Sequence, residues 1–374
     1  MTEMAYFDYA AMTPIDPRVL AALNAEFNQV VGNAGALHSS ALAARARVEN
    51  ARKRVAQTIN ADPREVVFTS GATEADNLAI KGALTYHGAK NPRLITVQSE
   101  HKAVLDSAAV MAKQGVDVVV LSVRRDGLID LDALEAALAG APTTLVSVMA
   151  VNNETGVIQP LSEIAERVHA AGAKFHVDAA QAPGRMAVDM AEWGADLASF
   201  SGQKIYGPQG IGALFVRRLP KVRLQAQLHG GGQERGRRSG TLPQALIAAF
   251  AEAMVIADSE RARHNATVSA LRERLLASLP ATMNLNTDAP SVAHIINIDS
   301  GVPSNEALAR ADAAGVALSA GSACSSSREG SHVLQAMGLD DQARRCLRIS
   351  LSHLTTELEL DRLIAFLQTL EAAK

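Results

Sequence analysis

The runs Leu145-Val146-Ser147-Val148-Met149 and Phe175-His176-Val177-Asp178, with the helix-patterned stretch 162–171 between them, decide the fold of this 374-residue chain. A short apolar run, a helical pattern and a second short apolar run read as a strand–helix–strand unit of a parallel sheet. The alternation continues outward. Strand-like runs at 66–68, 94–97, 116–121, 197–200 and 212–216 bring the set to seven, and 131–139 is another helical pattern. The expectation is an α/β domain on a mainly parallel seven-stranded sheet. A helix over 42–59 places Val48, Val55 and Ile59 on one face, with arginine and lysine elsewhere.

From 241 to about 279 the pattern is helical and alanine-rich. Strand-like runs then fall at 295–298 and 346–351, with a helix near 306–313. A last helix starts near Thr356, which forms a capping box with Glu359. This divides the chain into a larger domain, 1–255, and a smaller α+β domain, 256–374. The first dozen residues are free to pack with either.

Hydrophobic residues make up 48% of the chain, enough for a sizeable core. A formal charge of -3, from 36 basic and 39 acidic residues, provides no field for direct nucleic-acid or anionic-membrane binding. Two cysteines, Cys324 and Cys346, make no disulfide framework and suit a reducing cytosol. Met1-Thr2-Glu3-Met4 lacks the regions of a targeting peptide. The most apolar stretch, 246–257, is broken by Glu252 and too short to span a bilayer. A cytoplasmic protein is expected.

Chemistry concentrates around Ser199-Phe200-Ser201-Gly202-Gln203-Lys204-Ile205-Tyr206-Gly207-Pro208. A lysine amine there suits a Schiff base with pyridoxal phosphate, and its small neighbours let backbone and hydroxyl groups approach a phosphate. Asp178, ending an apolar strand upstream, suits the pyridine nitrogen of the same cofactor. Phe68-Thr69-Ser70-Gly71-Ala72-Thr73-Glu74-Ala75 is a strand end, a tight turn and a helix start. It is either a plain helix cap or, given a cofactor, a phosphate site. His101 follows a strand and either stacks on a planar ring or lies at the surface. Asn153 is a ligand or a turn residue. Arg348 clamps a carboxylate or faces solvent. Cys324, in Ser319-Ala320-Gly321-Ser322-Ala323-Cys324-Ser325, has little apolar surface around it and reads as a reactive thiol. Cys346, in a strand pattern, reads as structural.

In order and spacing these runs resemble the cysteine desulfurases of the NifS/IscS type, in the class V aminotransferase branch of fold-type I pyridoxal phosphate enzymes. The likeness runs from Phe7-Asp8-Tyr9-Ala10-Ala11 through Glu100-His101-Lys102, Asn152-Asn153-Glu154 and Arg237-Arg238-Ser239-Gly240-Thr241 to the Cys324 run. It implies that Lys204 binds the cofactor and moves the substrate α-proton, with Asp178 on the pyridine nitrogen, Gln181 on the phenolic oxygen and His101 over the ring. Gly71, Ala72, Thr73, Ser201 and Gln203 would surround the phosphate, joined by Thr241 from the partner subunit of a homodimer. Asn153 and Arg348 would hold the carboxylate of L-cysteine, and Cys324 would take its sulfur as a persulfide for a separate acceptor protein. That acceptor would serve iron–sulfur cluster, thio-cofactor or tRNA biosynthesis. Other readings are a selenocysteine lyase, another class V enzyme, or a non-catalytic scaffold. The chain departs from the family pattern at Gln203, where histidine is usual, and at Ser352-His353. The segment after Cys324 is slightly shorter, and no scaffold-docking extension follows Lys374.

Overall fold

Strands buried on both faces need apolar side chains on both, and the main sheet meets that demand by alternation. The structure is a computed structural model describing residues 4–29, 31–88, 91–321 and 330–371. Its seven-stranded sheet has the order Val66–Thr69, Gly212–Val216, Leu197–Ser201, Lys174–Asp178, Leu145–Ser147, Arg93–Val97, Asp117–Leu121. Only Gly212–Val216 runs against the others, pairing antiparallel with both neighbours. All the other pairs are parallel. The seven strand-like runs of the sequence are therefore the seven strands.

Successive residues serve opposite faces. Phe68, Ile95, Val146 and Phe175 pack with Val48 and Val55 of helix Ser39–Thr58, Ile164 of Leu161–Ala170 and Phe250 of Gln244–Ser259. Val67, Leu94 and Leu145 turn the other way, onto Leu78 and Ile80 of helix Ala72–His87 and Val104 of Lys102–Lys113.

A second, three-stranded antiparallel sheet carries Asn284–Leu285, Ile295–Asp299 and Cys346–Ser350. Ile296, Ile298, Leu347 and Ile349 share a core with Val268 of helix Arg261–Ala277 and Leu363 and Phe366 of Glu357–Glu371. The chain start bridges both cores: Ala5 and Phe7 belong to this smaller one, Ala10 to the larger. At the last helix, Glu359 Oε2 accepts from Thr356 N at 2.8 Å and Thr356 Oγ1 from Glu359 N at 3.2 Å, which is the capping box. Among the described residues no helix is long and apolar enough to cross a membrane.

One residue departs from the helical pattern read in sequence. Arg52, expected away from the apolar face of helix Ser39–Thr58, is buried. Its guanidinium spans both oxygens of Glu234 at 2.7 Å and donates to Val66 O at 2.9 Å, while Glu234 Oε2 accepts from Phe68 N at 2.8 Å. A charge enters a core only with such a partner, and the fork geometry of arginine satisfies both oxygens at once. The pair ties the 230–237 segment to the strand that leads into the Ser70–Glu74 turn. Arg52→Leu would strand the buried Glu234 carboxyl and cost about 3 kcal/mol or more. A clear fall in the urea midpoint is expected, and an unchanged midpoint would contradict the assignment.

Candidate active site

In a doubly wound sheet the carboxyl ends of parallel strands open onto one edge, where loops collect functional groups. Here they surround a cavity of about 450 Å³. Val66–Thr69 leads into Ser70, Gly71, Ala72, Thr73 and Glu74, Arg93–Val97 to His101, and Leu145–Ser147 to Met149 and Asn153. Lys174–Asp178 delivers Asp178 and Gln181, and Leu197–Ser201 delivers Ser201, Gln203 and Lys204. Arg348, from the smaller sheet, and Ala10, Ala11 and Met12 close the wall. Thr241 is exposed and not part of this wall. Cys324 lies outside the described residues.

Lys204 Nζ donates to Ala10 O at 2.9 Å and Ala11 O at 2.6 Å. Burial, reinforced by the Arg185 and Arg348 guanidiniums, lowers its ammonium to about 8, against the opposing pull of Asp8 and Asp178. A lysine so placed supplies free amine at mildly alkaline pH, as attack on an aldehyde requires.

Asp178 is pushed the other way. Burial raises its carboxyl, while His101, the Ala180 N–H bonded to Oδ1 at 2.9 Å, and Lys204 draw it back. Two further buried acids sit close by. Asp76 and Glu100 are raised well above the ordinary range, first by burial and next by Asp178. Glu100 Oε1 accepts from Met149 N at 2.6 Å, whereas neither oxygen of Asp76, in the cavity wall, has a hydrogen-bond partner among the described residues. His176, two residues before Asp178, bonds the hydroxyls of Ser147 at 2.8 Å and Ser199 at 3.0 Å. Burial lowers it to about 3, so it is neutral and offers these acids no cation.

The turn before helix Ala72–His87 depends on glycine. Gly71 has φ +153° and ψ -178°, a region essentially closed to other residues. A Cβ there would meet open space, and the helix has no side-chain cap. A Cβ on Gly212 would fall 2.7 Å from Gly71 Cα, so the strand beside the turn needs glycine as well. Glu74 pairs with Arg238 at 2.8 Å and so anchors the segment that carries Thr241.

Arg348 is buried, which rules out a solvent-facing strand arginine. Nη2 donates to Asp8 Oδ1 at 2.6 Å and Nη1 to Asn153 O at 3.0 Å. Arg348 Nε and Asn153 Oδ1 are buried without a partner among the described residues. Gln181 spends one donor on Ala10 O at 2.9 Å and accepts from Arg185 Nη1. His101 caps helix Lys102–Lys113, its Nδ1 accepting from Ala103 N at 3.1 Å. Cys346 is buried, its thiol pushed up to about 12 chiefly by desolvation, and is inert. Sequence reasoning gave no role to Asp8, Asp76, Arg185 or the Ala10 and Ala11 carbonyls. Asp8 and Asp76 lay inside quoted or helical runs, and only the fold brings Asp8 onto Arg348 and Asp76 into the cavity wall.

These residues fit pyridoxal phosphate. The uncapped helix N-terminus matches a phosphate, and the lysine amine matches an aldehyde. The raised Asp178 lacks the strong cation that a protonated pyridine nitrogen supplies. Because Lys204 is protonated below about pH 8 and neutral above, cofactor incorporation into the apo chain should speed up with pH. Between pH 7 and 9 the rate should rise roughly tenfold, tracking the free-amine fraction. Stopped-flow absorbance checks this, and a flat profile would contradict it.

Comparison with known proteins agrees with this geometry. The family model described as aminotransferase class V matches residues 5–363. Cysteine desulfurase IscS of Dechloromonas aromatica is 47% identical over 369 residues, 97% of this chain and 91% of that protein. The solved structure of a NifS-like protein superposes with TM-score 0.90 at 32% identity, covering 99% of both chains. That of SspA in complex with cysteine gives 0.83 at 34%, covering 94% of this chain and 99% of the other. The chain belongs to the class V aminotransferase family.

Proposed function

We propose that this protein is a pyridoxal phosphate-dependent cysteine desulfurase that converts L-cysteine to L-alanine and leaves the sulfur as a persulfide on Cys324. The observation that carries the reading is a single cavity holding a lysine with a lowered pKa, a buried carboxyl with no ion-pair partner among the described residues, and a buried guanidinium. The cysteine desulfurase name of one relative, and the cysteine bound in the SspA structure, support the substrate. Sulfur moves without an outside oxidant. The Cβ–S bond of cysteine breaks, an S–S bond to the Cys324 thiolate forms, and Cβ takes a proton as alanine leaves.

When bound, the cofactor withdraws electrons from the substrate α-carbon. The rest falls to side chains. Asp178 holds a positive charge at the ring nitrogen, and the N–H groups at the start of helix Ala72–His87, with the hydroxyls of Thr73 and Ser201, hold phosphate. Gln203 adds an amide donor where histidine is usual. Arg348 exchanges the partly exposed Asp8 for the substrate carboxylate, one anion for another on the same guanidinium, and Asn153 offers its side-chain amide beside it. Lys204 Nζ, freed from the Ala10 and Ala11 carbonyls, carries the α-proton. His101 and Gln181, both in the cavity wall, would flank the ring.

The division into domains of 1–255 and 256–374, a cytoplasmic location and delivery of sulfur to a separate acceptor protein for iron–sulfur clusters or thiolated products belong to the same proposal. So does a homodimer. Phe27, Val31 and Leu37, from the end of helix Pro17–Phe27 to just before helix Ser39–Thr58, expose most of their apolar surface, a cost that a second copy would remove, and Thr241 is exposed for use in a partner's site.

Cys324→Ala separates the roles. The variant should bind pyridoxal phosphate with an unaltered absorbance spectrum yet lose alanine and sulfide release from L-cysteine with a reductant by a hundredfold or so, the scale of losing a nucleophile. Full turnover in the variant would remove Cys324 from the reaction. Cofactor binding in the wild type without alanine would favour another amino acid, selenocysteine first.

A further inference from the structure

Sulfur transfer to Cys324 requires the segment that carries it to meet the substrate at a defined place, and the described residues on either side of 322–329 share one anchor. Glu154 is buried in the turn directly after Asn153. On the returning side, Ser331 Oγ donates to Glu154 Oε2 at 2.5 Å. On the outgoing side, Gly321, at φ +118°, lies so close that a Cβ would come 2.9 Å from the same oxygen. His332 adds a third contact, with Nδ1 3.7 Å from Glu154 Oε1 and Nε2 3.0 Å from the carbonyl of Glu100, the residue before His101.

The anchor is itself rigid. Glu154 N donates to Asn152 Oδ1 at 2.9 Å, Asn152 Nδ2 donates to Ser99 O at 2.9 Å, and Glu154 O accepts from Asn297 Nδ2 at 3.0 Å. Both flanks are also held by their backbones, the returning one to the short helix Asp340–Ala343 and the outgoing one to the smaller sheet. Ser331 N donates to Ala343 O at 3.0 Å, and Arg348 N donates to Ser319 O at 2.7 Å. The strand that aims the Arg348 side chain into the cavity therefore pins the segment by its backbone.

Resting on the desulfurase reading, we propose that Glu154 is a positioning residue for sulfur transfer. Its one carboxyl fixes both flanks of the Cys324 segment against the wall that carries Asn153. The frame that would hold the substrate carboxylate is thereby the frame from which the thiol reaches. Glu154 acts through Gly321 and Ser331 and has no part in holding the cofactor.

The test uses Glu154→Met, which keeps the side chain's length but removes both acceptor oxygens, Ser331→Ala and the double variant as holoenzymes, with wild type in the same run. Each single variant should bind pyridoxal phosphate and show the early absorbance change with L-cysteine at wild-type rate. Persulfide formation on Cys324, followed by mass spectrometry in single turnover, should slow roughly ten- to a hundredfold, the scale set by a misplacement near 1 Å. KM should hold while kcat falls. The double variant should be no slower than the slower single, because both cut one contact. Three outcomes would overturn the proposal: persulfide formation at wild-type rate in both singles, loss of the early absorbance change along with it, or fully multiplicative effects. Wild type that forms no alanine would instead count against the desulfurase reading itself.

Discussion

Burying a carboxyl that has no ion-pair partner is among the costlier things a fold can do, and among the described residues this one does it at Asp178, where His101 and Lys204 offset only part of the burial. The acid ends a central strand, with Asp76 and Glu100 beside it, and His176 is neutral. A protonated ring nitrogen in the cavity would repay the rest of that cost. Lys204 shows the complementary distortion, since burial, reinforced by the Arg185 and Arg348 guanidiniums, lowers its ammonium to about 8. Two groups displaced in opposite directions across one cavity are the expected mark of a site built for an electron-withdrawing ring.

The scaffold around the cavity explains how these groups stay put. Asp178 and Ser201 sit on strands paired on both sides, and Gly71 takes a conformation that only glycine adopts comfortably. The smaller sheet contributes through Arg348, held by Asp8 from the chain start and by the Asn153 carbonyl. Three distant parts of the chain thus meet on one guanidinium. Replacing Asp8 by a substrate carboxylate keeps an anion on the buried guanidinium, so the Arg348 charge is not left unpaired.

Much of this was legible in the residues. The strands announced themselves because parallel pairing demands apolar runs, and the Lys204, Gly71 and Asp178 runs carry chemistry in local composition. Arg52 was misjudged because its partner, Glu234, lies far along the chain, and a helical pattern alone assigns arginine to solvent. Asp8 and Asp76 were passed over for the same reason: their importance comes from what the fold brings opposite them. Glu154 stood inside a quoted run, yet its contacts with Gly321 and Ser331 are tertiary and leave no periodic trace. Local chemistry was readable, and long-range pairing was not.

The central claim is that sulfur leaves L-cysteine for Cys324 inside this cavity. Its most direct test is a single turnover of the holoenzyme with L-cysteine and no reductant, counting alanine and mapping added sulfur by peptide mass. The account predicts one alanine per active chain and one extra sulfur atom on the peptide bearing Cys324. Alanine without sulfur on that peptide, or sulfur carried by Cys346 instead, would contradict it.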